Sequence, residues 1–253
     1  MTRRILYWYV PLGAALIAAV VFARGFYSFA HGDTGTPVNL PPPRASVTAP
    51  PEGTIAPMIV GDSLARGTGD EAGLGIGGRL VEDLRARHVP TRDLVNLAVD
   101  GARTGDLLAL LRSRNVRILL GESNVIVVSI GGNDLWGENN WGSAPPPDPQ
   151  AVLDGVLARV STAVEEIRGA SPGAKIFVIG LYDPFASTPF GRTLAPLISD
   201  WNAKLMQRFA RDPNVVVVQT ADLFKWKDRL SFDRFHPGNE GYALIARRIA
   251  DAL

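Results

Sequence analysis

Cysteine is absent from this chain of 253 residues, and histidine occurs only three times. The absence of cysteine excludes disulfides, thiolate metal sites, cysteine nucleophiles and a lipidated N-terminal cysteine. A zinc site with three histidine ligands would need all of His31, His88 and His236, so few candidates remain for a general base near neutral pH. The 26 basic and 25 acidic side chains nearly balance, without a dense basic stripe, and we therefore expect no nucleic-acid partner.

Charge is also missing from residues 5–23, an apolar run that two arginines precede. As a helix this run would reach about 28 Å, close to the ~30 Å hydrocarbon core of a bilayer. We expect residues 1–30 to form a single-pass membrane anchor, with the arginines in the cytoplasm and the rest of the chain outside. The alternative is a secretory signal peptide cleaved after Ala23 or Ala30, which also exports the chain.

Residues 31–53 contain six prolines and no periodic apolar pattern, so they are expected to form an extended, semi-rigid linker. Residues 54–253 alternate short apolar runs with amphipathic stretches, which predicts a three-layer α/β/α sandwich around a five-stranded parallel sheet. The predicted strands are 55–60, 94–99, 125–130, 176–181 and 215–219. The predicted helices are 78–87, 104–114, 149–170, 194–211 and 240–253.

Polar residues follow four of these strands, at the edge where open parallel sheets bind their ligands. They are Gly61-Asp62-Ser63, Gly101, Gly131-Gly132-Asn133-Asp134, and the pair Asp233 and His236. A serine becomes an effective nucleophile when a base takes its proton and a carboxylate orients that base. The pattern predicts Ser63 as nucleophile, His236 as base and Asp233 as its orienting carboxylate. The amides of Ser63 and Gly101 and the side chain of Asn133 are the candidate oxyanion donors.

Taken together, these four blocks resemble the SGNH (GDSL-type) hydrolase superfamily, and the resemblance covers residues 54–253. Gly61-Asp62-Ser63-Leu64, Gly101, Gly131-Gly132-Asn133-Asp134 and Asp233-Arg234-Phe235-His236-Pro237 carry it. It implies a flavodoxin-like sheet of order 2-1-3-4-5, ester hydrolysis without a cofactor or metal, and the same roles for Ser63, His236, Asp233, Gly101 and Asn133. Bacterial lysophospholipase-like esterases with an N-terminal anchor are similar in overall organisation.

The expected function is an extracytoplasmic serine esterase that cleaves lipid or other small ester substrates through an acyl-Ser63 intermediate. Alternatives are an O-acetyl esterase or acyltransferase acting on acylated envelope polysaccharide, and a catalytically silent binding module on a stalk.

Aromatic side chains near the predicted site are candidates for a substrate pocket. Trp136 and Trp141 follow the third strand, and Phe185 and Phe190 follow the fourth. They either line the acyl or leaving-group pocket or only pack their loops. Asp62 and Asp134 are expected to brace loops by hydrogen bonding rather than to act as acids.

Two other motifs compete for the same region. The spacings Gly67-Gly69-Ala72 and Gly73-Gly75-Gly78 fit a dinucleotide-binding fingerprint, with Asp100 as the ribose-binding acid. However, that fingerprint must open a helix directly at the strand end, where Ser63 already lies. The segment from Gly61 to Ala65 falls one residue short of the nucleophile elbow of α/β-hydrolases, whose serine follows a strand in the middle of the sheet.

Overall fold

The chain forms two compact units, residues 1–43 and 44–253. The computed structural model describes residues 5–30, 48–137, 148–186, 188–225 and 227–253. In the first unit, a π-helical turn at Ile5–Tyr9 leads into helix α1 at Val10–Ala30. The stretch Tyr7–Tyr27 is long and apolar enough to cross a membrane, with a mean hydropathy of 1.7. That property suits an anchor and a signal sequence equally.

Five strands form the sheet of the second unit, in the order β2-β1-β3-β4-β5, and all four pairings are parallel. Their bounds are β1 at Pro57–Gly61, β2 at Val95–Asn96, β3 at Val125–Ser129, β4 at Lys175–Ile179 and β5 at Val215–Val218. The order and the parallel pairing confirm the predicted α/β fold. Because parallel strands end at one edge, the connections after β1, β2, β3 and β5 can meet there.

Nine helices and helical turns surround this sheet in the described part of the unit. They are α2 at Ser63–Arg66, α3 at Gly75–Ala86, α4 at Thr104–Arg112, α5 at Arg114–Gly121, α6 at Gly132–Gly137, α7 at Pro149–Ala170, α8 at Pro189–Phe209, a 3-10 turn at Lys227–Arg229 and α9 at Asn239–Ala250. Helices α4, α5, α7 and α8 cover one face, and α3 and α9 cover the other.

Two apolar cores fill the spaces between these layers. Successive side chains of a strand point to opposite faces, so Met58 and Val60 pack under α4, whereas Ile59 packs under α3 and α9. Met58, Ile59 and Val60 are fully buried, and burial of each such side chain contributes about 1.5–3 kcal/mol to the stability of the fold. The buried sheet is the rigid support on which the loops at its carboxyl edge rest.

Strand β2 is shorter than the predicted run of residues 94–99. It lies at the edge of the described sheet, where it pairs with β1. Beyond Asn96 the amides of Leu97 and Val99 still donate to the carbonyls of Ile59 and Gly61, at 3.0 and 2.9 Å. The Asn96 side chain accepts from the Ala98 amide, so the backbone begins to turn there while it still follows β1.

Candidate active site

Ser63 stands at the first position of α2, directly beyond the end of β1. Gly61 has a φ of +131°, and a Cβ there would lie 1.8 Å from the carbonyl oxygen of Ser129, so only glycine fits. Asp62 is the N-cap of α2 and accepts from the Leu64 amide at 3.1 Å. The sharp turn from strand to helix thus orients Ser63 at the carboxyl edge of the sheet.

The structure brings Ser63, His236 and Asp233 into one hydrogen-bonded line. Nε2 of His236 lies 2.8 Å from Oγ of Ser63, and Nδ1 lies 2.7 Å from Oδ2 of Asp233. With Nδ1 protonated and bonded to Asp233, Nε2 has its lone pair directed at the serine hydroxyl. In this tautomer the imidazole can take the hydroxyl proton.

The carboxylate of Asp233 is held in its charged form. Burial raises its pKa, but hydrogen bonds from the Ser231 hydroxyl, the His236 ring and the amides of Phe235 and His236 outweigh that effect, so the pKa lies below the usual 3.8. Oδ1 accepts from Ser231 at 2.6 Å and from the two amides at 2.8 and 2.9 Å. Asp233 therefore remains an acceptor for the histidine and is fixed in its orientation.

The loop that carries His236 is fixed by its surroundings as well. Its ends pair through the Ser231 amide and the His236 carbonyl, at 2.8 Å, and the buried Tyr182 hydroxyl donates to the Phe235 carbonyl at 2.7 Å. Arg234 has a φ of +56°, in the left-handed region, which tightens the turn. At Gly69 a Cβ would come within 2.9 Å of the Cβ of His236, so the loop after α2 packs closely on the histidine.

Gly101 and Asn133, the candidate oxyanion donors, lie on neighbouring connections that are joined to each other. Nδ2 of Asn133 donates one hydrogen to the carbonyl of Ala102 at 2.9 Å, which leaves the second amide hydrogen for another acceptor. Gly101 has a φ of +76°, and a Cβ there would meet open space, so its backbone is accessible to a ligand. The Gly101 amide and the second amide hydrogen of Asn133 lie next to the hydrogen bond between Asn133 and Ala102. Together these two donors can stabilise an oxyanion.

A second tie between the same connections comes from Asp134. This buried carboxylate accepts from the amide and the hydroxyl of Thr104, and Arg159 donates to the Thr104 hydroxyl at 2.6 Å and to Asp134 at 3.2 Å. The cluster joins the starts of α4 and α6 to α7. The expectation that Asp134 braces loops is confirmed by these contacts.

Asp62 performs the corresponding bracing role beside the serine. Its Oδ1 accepts from the Ser129 hydroxyl at 2.9 Å as well as from the Leu64 amide, and this ties β3 to the start of α2. Burial raises the pKa of Asp62 from 3.8 to about 6, although hydrogen bonds from Ser129 and nearby amides partly oppose the rise. The pKa values of the two aspartates of the site are therefore displaced in opposite directions. That of Asp62 is raised by burial, and that of Asp233 is lowered by its hydrogen-bond donors.

Of the four aromatic residues predicted to line a pocket, Phe185 can be located. Its ring centroid lies 5.9 Å from that of Phe235, which in turn meets the His236 ring edge-on at 4.9 Å. Trp141 and the side chains of Trp136 and Phe190 fall outside the described residues. Phe185 therefore belongs to an aromatic group on the histidine side of the site.

The glycine pattern of residues 67–78 does not form a dinucleotide site. Helix α2 separates it from β1, and Asp100 bonds the Thr68 hydroxyl at 2.7 Å and pairs with Arg66 at 3.4 Å. Asp70 binds Arg79 at 2.7 Å and accepts from the Gly75 amide, so the loop is braced internally. Within the ranges that the structure describes, no group of three or more His, Asp or Glu side chains could hold a metal ion.

The order of these residues along the chain, and the elements that carry them, match a known family model over residues 59–244: the GDSL-like Lipase/Acylhydrolase family. The chain belongs to that family. This GDSL hydrolase is a serine hydrolase that acts on ester bonds. The assignment confirms the resemblance seen in the four sequence blocks and removes the dinucleotide and nucleophile-elbow alternatives.

Two protein relatives and one solved structure are similar to this GDSL hydrolase. It is 32% identical over 207 residues to the Bacillus subtilis protein YpmR, described as uncharacterized, covering 79% of this chain and 81% of YpmR. It is 26% identical over 215 residues to the spore germination lipase LipC of Bacillus licheniformis, covering 79% and 96%. The crystal structure of the lipase Lip_vut3 from a goat rumen metagenome matches with a TM-score of 0.68 at 24% identity, over 78% of this chain and 97% of that one.

Several residues of this site escaped sequence reasoning. Ser129, Thr104 and Arg159 complete the hydrogen bonds of Asp62 and Asp134, and Tyr182 fixes the histidine loop. Ser129 could have been found, because it lies next to the end of the predicted strand 125–130, whose carboxyl end was expected beside that of the strand before Ser63. The other three act across long sequence separations, which no local pattern reveals.

Proposed function

We propose that this chain hydrolyses carboxylic esters of lipids through a covalent acyl-Ser63 intermediate. The single observation that carries this proposal is the hydrogen-bonded line from Asp233 through His236 to Ser63, with distances of 2.7 and 2.8 Å. An uninterrupted line of this kind lets a neutral histidine deprotonate the serine as it attacks.

In the first half of the reaction Oγ of Ser63 attacks the ester carbonyl carbon, and its proton passes to Nε2 of His236. The negative oxygen that forms accepts hydrogen bonds from the amides of Ser63 and Gly101 and from the second amide hydrogen of Asn133. The bond to the leaving oxygen then breaks, and His236 returns the proton to that oxygen. The products are an alcohol and the acyl-serine.

In the second half, water attacks the acyl carbon and gives one proton to His236. The carbon–Oγ bond breaks, Ser63 regains the proton and the carboxylic acid leaves. Asp233 stays ionised throughout and holds the imidazole in one tautomer and orientation.

Lipid esters are the proposed substrate class, and the similarity to the lipase LipC supports this choice. We further propose that residues 1–30 anchor the chain in the cell membrane, that residues 31–53 form the linker, and that residues 54–253 form a catalytic domain outside the cytoplasm. The apolar stretch Tyr7–Tyr27 supports this arrangement by its length and composition.

The test uses the full-length chain in nanodiscs of diether phosphatidylcholine, a lipid without carboxylic esters. Nitrophenyl esters from acetyl to palmitoyl are offered to the wild type, to Ser63→Ala and to a matched control, Ser161→Ala. The Ser161 hydroxyl donates to the Leu157 carbonyl within α7. We expect Ser63→Ala to lower the hydrolysis rate by about 10⁴- to 10⁶-fold and the control to leave it unchanged.

Three other results would contradict the proposal and favour one of the alternative functions. Hydrolysis of acetyl esters alone would indicate an O-acetyl esterase. Transfer of the acyl group to an added sugar in preference to water would indicate an acyltransferase. A folded wild type that neither hydrolyses any ester nor is labelled at Ser63 by a fluorophosphonate would indicate a silent binding module.

A further inference from the structure

A cavity of about 440 Å³ opens beside Gly101, between the end of β1, the connection after β2 and helix α4. We call it the acyl cavity, and its main lining residues are Gly61, Leu97, Val99, Gly101, Leu107 and Leu110. Its volume falls within the range of about 300–1,000 Å³ that is typical of small-molecule sites. Phe185, the one of the four aromatic residues whose side chain the structure describes, is not among the described lining residues.

The interior of the acyl cavity is mostly apolar. The two carboxylates at its wall are already engaged elsewhere: Asp100 with Thr68 and Arg66, and Asp106 with the Arg103 amide at 2.9 Å. Val99 is 55% exposed, although it is a large aliphatic side chain next to Gly101. An aliphatic surface left open to solvent next to a reaction centre suits an aliphatic ligand better than a sugar.

We propose that the acyl cavity holds the hydrocarbon chain of the acyl group, an inference that rests on the proposed ester hydrolysis. The argument comes from the direction of proton transfer. His236 must return a proton to the leaving oxygen, so the alcohol leaves on the side of the histidine loop. The acyl chain, on the other side of the carbonyl carbon, points away from that loop.

The position of the cavity fits the acyl side and not the alcohol side. All of its described lining residues come from Gly61 and from the segment 97–110, and none comes from the loop that carries Asp233 and His236. Gly101 belongs both to the cavity and to the oxyanion donors, so the cavity begins where the carbonyl group would be held. The aromatic group of Phe185 and Phe235 lies on the opposite, histidine side.

This assignment predicts how the rate depends on acyl length. Each methylene that leaves water for an apolar wall favours binding by about fourfold, so kcat/KM rises with chain length until the cavity is full. The preference is determined by aliphatic side chains of α4 and the β2 connection. Filling the cavity with a larger side chain must therefore shorten the preferred chain, and enlarging it must lengthen it.

The experiment compares Leu110→Trp with Leu108→Trp in the full-length chain in diether nanodiscs. Both leucines are half-buried on α4, but only Leu110 lines the cavity. We expect Leu110→Trp to lower the kcat/KM ratio of octanoyl to acetyl ester by at least about tenfold, with acetyl hydrolysis retained. Leu108→Trp keeps the wild-type ratio, and Leu110→Ala shifts the preference toward longer chains.

A second variant, Val99→Trp, covers the case in which Leu110→Trp fails to fold, because Val99 is exposed and tolerates a larger side chain. An octanoyl-to-acetyl ratio that stays at the wild-type value in the folded variants overturns the proposal. The proposal is also overturned if the folded variants change the preference among alcohol leaving groups, at fixed acyl length, but do not change the preference among acyl groups.

Binding of decanoate separates failure of the cavity assignment from failure of the esterase proposal. Calorimetry on Ser63→Ala, which needs no turnover, should detect decanoate binding that the added Leu110→Trp substitution weakens by at least about tenfold. Binding of this kind without hydrolysis by the wild type would refute only the esterase. Ester hydrolysis together with decanoate binding that Leu110→Trp does not change would refute only the cavity assignment.

Discussion

Two aspartates of the site, Asp62 and Asp233, differ in what surrounds them. Asp233 accepts hydrogen bonds from four donors and has a lowered pKa, whereas Asp62 is buried directly after β1 and has a pKa raised to about 6. Their positions beside Ser63 and before His236 were evident from sequence. Their opposite ionisation preferences were not, because burial depends on residues that are remote in the chain.

Asp62 should make the stability of the fold depend on pH. Its pKa is higher in the folded state than the unfolded value of 3.8, so the stabilisation is fully present below pH 3.8 and is lost as the pH rises through about 6. A pKa difference of about two corresponds to about 3 kcal/mol. Asp62→Asn cannot titrate, so the wild type should lose about 3 kcal/mol relative to this variant between about pH 3.5 and about pH 7.5.

Urea unfolding of a fragment of residues 44–253 at a series of pH values measures this difference. Asp93→Asn is the matched control, since the side chain of Asp93 is 99% exposed and its ion pair with Arg85 lies at the surface. If the free energy of unfolding has the same pH dependence in the wild type and in Asp62→Asn, the pKa of Asp62 is not raised by folding, and the prediction is wrong.

Helices α4, α6 and α7 depend on one another through the cluster of Asp134, Thr104 and Arg159. In Asp134→Ala the buried amide and hydroxyl of Thr104 lose their acceptor, which should lower the free energy of unfolding by about 2 kcal/mol. Because Asn133 and Gly101 flank the cluster, kcat should fall while KM changes little.

Thermal and urea unfolding, together with ester kinetics, check this expectation. The matched control is Asp154→Ala, which removes an exposed ion pair with Lys204 and should change stability by less than about 0.5 kcal/mol. Equal destabilisation by both substitutions would contradict the special role of the buried cluster.

The sequence predicted the presence of most helices better than their ends. The predicted helix 104–114 is interrupted by Ser113, which is extended and caps α5 through its hydroxyl, so α5 went unrecognised. Helix α8 begins at Pro189, five residues before the predicted start, with Thr188 as its N-cap and Pro196 inside. The Thr-Pro pair is a start signal, but the internal proline hid the continuity of the helix.

The strands and their converging ends were predictable, because continuous apolar runs and the polar residues after them are local features. The strand order was expected only from the resemblance to the SGNH superfamily. The acyl cavity was not predictable, since Leu97 and Leu110 come together only when the β2 connection folds against α4. The aromatic residues near the site were selected because they follow the third and fourth strands, and their role in a substrate pocket stays a prediction.

Fractionation of cells that express the chain tests whether residues 1–30 anchor it in the membrane. If residues 1–30 are an uncleaved anchor, the full-length chain stays in the membrane pellet after an alkaline wash, and mass spectrometry finds the peptide that precedes Arg24. A chain without residues 5–23 should not be retained there. A mature protein that begins at residue 24 or 31 would instead establish a cleaved signal sequence.

The hydrogen bond between Ser63 and His236 joins residues 173 positions apart, the first strand end to the last loop. Translation therefore produces an inert serine long before its histidine leaves the ribosome. A serine without its histidine is a weak nucleophile, so a chain that is truncated before His236 should not cleave esters, however well its first strands fold.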